Sequence, residues 1–218
     1  MTIAVMKTKA EQALTEAFEA NAAKLPGSDA VSDARRDAIG KFSASGLPHR
    51  RIEEWKYTDL RNVLKDVLPL SVEDGVKVTI ADAIVALGEL AHLDAHRVTF
   101  VNGCYRADLS GLAGAAGIGV AQLAGALRSA PAKVAEGLTA LGAADDAVIT
   151  LNTAFMTDGA IVRIAPEANP AKPLLLVFLR AGAEGQFTAV RNVISAGEAS
   201  KVTLIEAHVA LPGASVEG

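Results

Sequence analysis

Past Asp158-Gly159 the chain stops reading as helix, and this change constrains the fold more than any other feature of the sequence. Nearly everything that follows is a short apolar run: IVRI (161–164), LLLVFL (174–179), TAVRNVIS (188–195) and KVTLIEAHV (201–209). Turn-forming clusters such as AGAEGQ and AGEAS separate them, which is the pattern of strands punctuated by tight connections. The runs that start at Leu174, Thr188 and Lys201 begin about fifteen residues apart, as the strands of a stacked β array do. Leu174, Leu176, Val190, Val202 and Leu204 are its expected aliphatic core. The array reaches Val209 and a Pro-Gly pair with no closing element. An uncovered last strand presents unpaired N–H and C=O groups that invite another chain. The chain is therefore expected to be the N-terminal part of a longer protein, whose exposed last strand would pair with a partner or a second copy.

The first seventy residues have helical period. Ala10, Ala13, Leu14, Ala17 and Phe18 share one face, up to a break at Pro26-Gly27. Val31, Ala34, Ala38, Ile39 and Phe42 share another, up to Gly46-Leu47-Pro48. A further helix is expected through Leu60, Val63 and Leu64, capped by Thr58. Val76, Val78 and Ile80 alternate with polar residues and predict a half-buried strand, followed by helix over 81–93. Asn102-Gly103 predicts a two-residue type I′ turn, hence a hairpin over 98–108. Two short helices are expected from near Ala121 and from Pro131, ending by 142. The expected division is an α-rich α/β domain over 1–145 and a β domain from 146 to 218.

Half the residues are hydrophobic and the mean hydropathy is +0.29, enough for a substantial core. The formal charge of −4 gives no global attraction to nucleic acid. The longest purely apolar run, 174–179, falls far short of the ~20 residues a bilayer requires. The N-terminus turns charged at Lys7 and lacks a signal core, so a cytoplasmic protein is expected, with no membrane partner. A single cysteine, Cys104, builds no intramolecular disulfide.

The candidate chemical motifs are each incomplete. His92 and His96 stand four apart on an expected helix, but Leu93 occupies the place where a zincin has its glutamate. Cys104 has no local base to activate it. The glycines from Gly111 to Gly119 fail as a dinucleotide loop, because Gln122 holds the third glycine position. In Gly40-Lys41-Phe42 no hydroxyl follows the lysine, so no phosphate loop forms there. Arg50, Arg51, Lys56, Tyr57 and Arg61 interleave cations with an aromatic, yet Glu53, Glu54 and Asp59 cancel most of that field. A packed, salt-bridged segment anchored on Trp55 is the expectation. Asp158 and Glu206 form the one tempting carboxylate pair near the array.

The segment GLPHRRIEEWKYTDLR (46–61) resembles the N-terminal signature of the SufB/SufD family of iron–sulfur cluster assembly proteins, on its SufD side. FVNGCY (100–105) is similar to the family hairpin, LNTAFMTDG (151–159) to its step into the β region, and RNVISAGEASKVTLIE (191–206) to an early turn of its β-helix. The resemblance implies an α+β fold: an N-terminal mixed domain, then the opening rungs of a right-handed parallel β-helix, with the C-terminal helical domain absent. It implies a non-catalytic scaffold that pairs with a SufB-like paralogue. It also implies work with a SufC-like ABC-type ATPase, docked through the absent part, and only a transient iron–sulfur cluster in the full complex. No catalytic, cofactor or metal residue carries over, since Cys104, His92, His96 and His208 match none of the family's functional positions. The competing readings are a β-solenoid enzyme acting on carbohydrate and a nucleic-acid adaptor using Arg50 to Arg61.

Overall fold

The computed structural model describes residues 7–72, 75–140 and 146–215. In chain order its elements are α1 (Lys9–Asn21), α2 (Ala30–Ser45), the one-turn α3 (Leu60–Val63), α4 (Ile80–Leu87), β1 (His96–Val101), β2 (Cys104–Tyr105) and β3 (Ile118–Gln122). There follow α5 (Leu123–Ser129), α6 (Pro131–Ala140), α7 (Ala147–Phe155), β4 (Ala160–Ile164), β5 (Leu174–Arg180), β6 (Val193–Ala196) and β7 (Leu204–Ala210). The chain builds two compact units and visits each twice: Met1–Leu70 with Leu127–Met156, and Ser71–Ala126 with Thr157–Gly218. The domain boundary expected at 145, the helix end expected at 142 and the leader-free start at 1–6 lie outside the described residues.

The first unit is helical. A capping box joins Thr8 and Glu11 at the start of α1, which buries Ala10, Leu14 and Phe18. Helix α2 buries Val31, Ala38, Ile39 and Phe42 and packs on α6 and α7. Phe18 meets Phe155 of α7 edge to face, with centroids 5.8 Å apart. Residues 147–155 are thus a helix and not the opening of the strand region. The Asp146 carboxylate caps the Val148 and Ile149 amides, and burial of Leu151, Ala154 and Phe155 outweighs the strand preference of Val148 and Ile149. Asp59, not Thr58, caps α3, because its carboxylate is the one that reaches the Asn62 amide.

The second unit holds two sheets, ordered β2-β1-β5-β7 and β3-β4-β6. Asn102 (φ 47°) and Gly103 (φ 83°) make the turn between β1 and β2, with Val101 opposite Cys104. The pairs β1·β5, β5·β7 and β4·β6 are parallel. Val98, Phe100, Leu174 and Leu176 of the first sheet pack against Ala160, Val162 and Ile164 of the second. On its other face Leu175, Val177 and Leu179 pack with Val78, Ala83 and Leu87, the last two from α4. Strand β5 is buried on both faces, which is why LLLVFL does not alternate.

Strands β4, β5, β6 and β7 alternate between the sheets, so Leu174 lies beside Leu204 and Ile164 beside Ala196. Three expectations need correction here. Residues 76–79 form no strand, because Thr79 and Asp82 close a capping box that makes Ile80 the first residue of α4. Residues 118–122 are strand β3, and the helix expected from near Ala121 begins at Leu123. Leu204 is 36% exposed, since its strand is last in the sheet, while Val190 and Val202 are half-buried.

Candidate functional site

The signature segment 46–61 folds around one buried carboxylate. Gly46 takes φ +74°, and a Cβ there would stand 2.5 Å from Glu11 Oε1 and 2.9 Å from Arg61 Nη2. The Leu47 amide donates to Glu11 Oε1 at 2.7 Å, and Arg61 Nε donates to the same oxygen at 3.0 Å and to the Leu47 carbonyl at 3.1 Å. The Leu60 amide closes the loop on the Pro48 carbonyl at 3.0 Å. Burial pushes the Glu11 carboxyl up, but the Thr8 and Leu47 amides and the Arg61 charge outweigh it and hold the group below its ordinary value.

The same segment is salt-bridged, through Lys56–Glu53, Arg50–Asp59 and Arg61–Glu11, but it is not packed around its tryptophan. Trp55 is half-buried and held at its edge, with Nε1 donating to Asp146 Oδ2 at 3.1 Å, while Tyr57 is 90% exposed. The ring has a polar partner at one end only, and charged neighbours keep the segment at the surface. These sixteen residues do structural work in the helical unit.

The other sequence candidates disperse. His92 ends a 3-10 turn over Gly88–His92 and His96 opens β1, so they share no helix face. Among the described residues no group of three or more His, Cys, Asp or Glu is placed to hold a metal ion. Cys104 is half-buried in β2. Asp158 is 4% exposed and fully engaged: its Oδ2 accepts from the Tyr105 amide (2.9 Å) and Gln122 Nε2 (2.8 Å). Its Oδ1 accepts from the amides of Ala124 (3.0 Å) and Gly159 (2.8 Å). A carboxylate with four donors joins the hairpin, β3 and α5 and has no lone pair left for acid–base work. Glu206 lies exposed on β7.

What remains open is the strand edge. Among the described residues β6 and β7 each pair on one side only. Ile194 continues the row of Val162, and Leu204 and His208 continue the rows of Leu174 and Phe178. These rows are buried at Val162 and Leu174 and half-buried at Phe178 but uncovered in the last strands, where Ile194 is 41% exposed. Phe100, Phe178 and His208 form a ladder across three strands, stacked at 5.4 and 4.8 Å. Glu206 Oε2 lies 3.8 Å from His208 Nε2. A parallel edge with an apolar and aromatic row suits the addition of another strand and supplies no catalytic constellation. The sequence marked the strands, but only the pairing identifies which of them are last.

Residues 8–176 match the family described as SufBD protein N-terminal region. The matched span runs from the cap of α1 to the third residue of β5, so β6 and β7 lie beyond it. No curated protein matches the chain.

Proposed function

The chain belongs to the SufB/SufD family, and with that goes a role in iron–sulfur cluster assembly; on this premise we propose that it is a SufD-type scaffold subunit. Family members are in general non-catalytic and act in a complex with other Suf proteins. In our reading the parallel strands β4 to β7 are the opening rungs of a β-helix. A SufB-like paralogue pairs with the β-helix, a SufC-like ABC-type ATPase works with the pair in the cytoplasm, and the nascent cluster is cargo. Lacking the paralogue, the open edge takes a second copy of the chain.

The observation that carries the reading is that each of the two mixed sheets ends on a parallel strand with uncovered positions, Ile194 on β6 and Leu204 and His208 on β7. The engaged state of Asp158 weighs against a carbohydrate-acting site, which needs a free carboxylate pair. No described helix is long and apolar enough to cross a membrane. The test is capture of the native protein from its own cells, with mass analysis of what accompanies it. A SufB-like protein and an ABC-type ATPase recovered together support the scaffold; recovery of neither refutes it.

A further inference from the structure

Away from the strand edge, the second unit has a cleft of about 610 Å³ between residues 114–117 and the 165–172 connection that joins β4 to β5. That volume lies in the range of small-molecule sites. His96 lines it and is only 5% exposed, on the side of β1 that carries Val98 and Phe100. Its backbone amide bonds the Pro173 carbonyl, but its ring nitrogens have no hydrogen-bond partner among the described residues. Neither nitrogen is among the fully sealed unpartnered atoms, so a nearly buried imidazole that lines the cleft keeps a donor and an acceptor to offer a ligand.

The surroundings select the ligand. Lys172 stands at the rim, where its ammonium lies 2.6 Å from Asp94 in an exposed ion pair that is weak and readily exchanged. Ala165, Pro166, Ala168 and Pro170 give small apolar walls. Glu167, at φ 60°, is the carboxylate among the lining residues, and its repulsion, which grows with ligand charge, favours a monoanion over a dianion. We propose that this cleft binds a small organic monocarboxylate, its carboxylate between His96 and Lys172 and its short hydrocarbon tail on the Ala/Pro wall. The proposal is independent of the family reading.

The test uses the full chain with 15N-labelled histidine and follows the four imidazoles by long-range proton–nitrogen spectra while butyrate is added. We expect saturable movement of the His96 signals alone, in about the millimolar range proper to so small a ligand. His49, His92 and His208 should stay still, and butyramide, which lacks the charge, should move nothing. Lys172→Met, a substitution at a half-exposed surface site, should weaken the butyrate effect roughly fivefold or more while the spectrum stays dispersed. The proposal is overturned by no saturable shift up to about 50 mM. An equal shift of all four histidines, an equal response to butyramide, or unchanged affinity in Lys172→Met would overturn it as well.

Discussion

Arg35 donates to the carbonyl oxygen of Met156 at 2.8 Å, so that a guanidinium from the middle of α2 closes the end of α7. The same side chain reaches the carbonyls of Ala154 and Pro26, both at 2.9 Å. It is 3% exposed, and burial brings its pKa down to about 10, which still leaves it cationic at neutral pH. The last carbonyls of a helix carry partial negative charge and favour such a partner.

Arg35→Met should therefore destabilise the protein by about 3 kcal/mol, because buried carbonyls lose charged donors. Arg35→Lys should recover only part, since one ammonium cannot reproduce the planar fork. Urea unfolding of the three proteins measures both, and a neutral Arg35→Met would show that water replaces the guanidinium.

Two glycines should respond in opposite directions to alanine. Gly46 sits at φ 74°, ψ −171°, in a region that residues with a Cβ avoid, and against Glu11 and Arg61. Gly46→Ala should cost about 3 kcal/mol. Gly40 lies exposed in α2 with nothing within 4 Å of its missing Cβ, so Gly40→Ala should add about 0.5–1 kcal/mol. Melting temperatures that move together would contradict the clasp described for residues 46–61.

Glu11 predicts an acid sensitivity with a definite sign. Its folded carboxyl is held below the ordinary value of 4.5, so as pH falls the unfolded chain takes up the proton first. The stabilisation is complete above about pH 4.5 and drains away as pH drops through the lower folded value. Glu11→Gln should lower stability at pH 7 by about 2 kcal/mol and flatten the decline at acid pH. Urea midpoints of both proteins from pH 7 to pH 3 give the comparison; parallel curves would remove Glu11 as the cause.

Asp158→Asn should destabilise the second unit by about 2 kcal/mol, although it is nearly isosteric. One oxygen becomes an NH2 facing N–H groups that require an acceptor. Amide exchange at Tyr105 and Ala124 should speed up, and an unchanged exchange rate at both would argue against the hub.

What the sequence disclosed follows from how local each signal is. Asn102-Gly103 is legible because both residues must accept positive φ, and LLLVFL is legible as a strand because it is a short apolar run bounded by turn-forming residues. Helix α4 was misread because Val76, Val78 and Ile80 mimic a strand, although Thr79 and Asp82 hold a capping signal three residues apart. Helix α7 was missed because Val148 and Ile149 favour strands in isolation, and its packing partner α2 lies a hundred residues earlier. The strand edge was foreseen in kind but not in pairing, since period shows which residues are strands and not which strands touch. The salt-bridged character of 46–61 is legible in its alternating charges, but its anchor is not Trp55, because the carboxylate at its centre, Glu11, lies outside the segment. His96 stands in the sequence only as the second member of a four-residue histidine spacing that the fold breaks, and burial without a ring partner is what singles it out.

The twofold visit of the chain to each unit has a consequence for its birth. On the ribosome α1 and α2 emerge well before α7, whose Leu151, Ala154 and Phe155 complete their core and whose end Arg35 must reach. At ordinary rates of synthesis that interval is roughly 5–20 seconds. Throughout it the inner faces of Phe18 and Phe42 stay wet and the Arg35 guanidinium waits for its acceptors. The helical unit is thus unable to finish folding until the polypeptide has passed through Ser71–Ala126, the first segment of the β unit, and a nascent-chain holdase has its clearest task in that window.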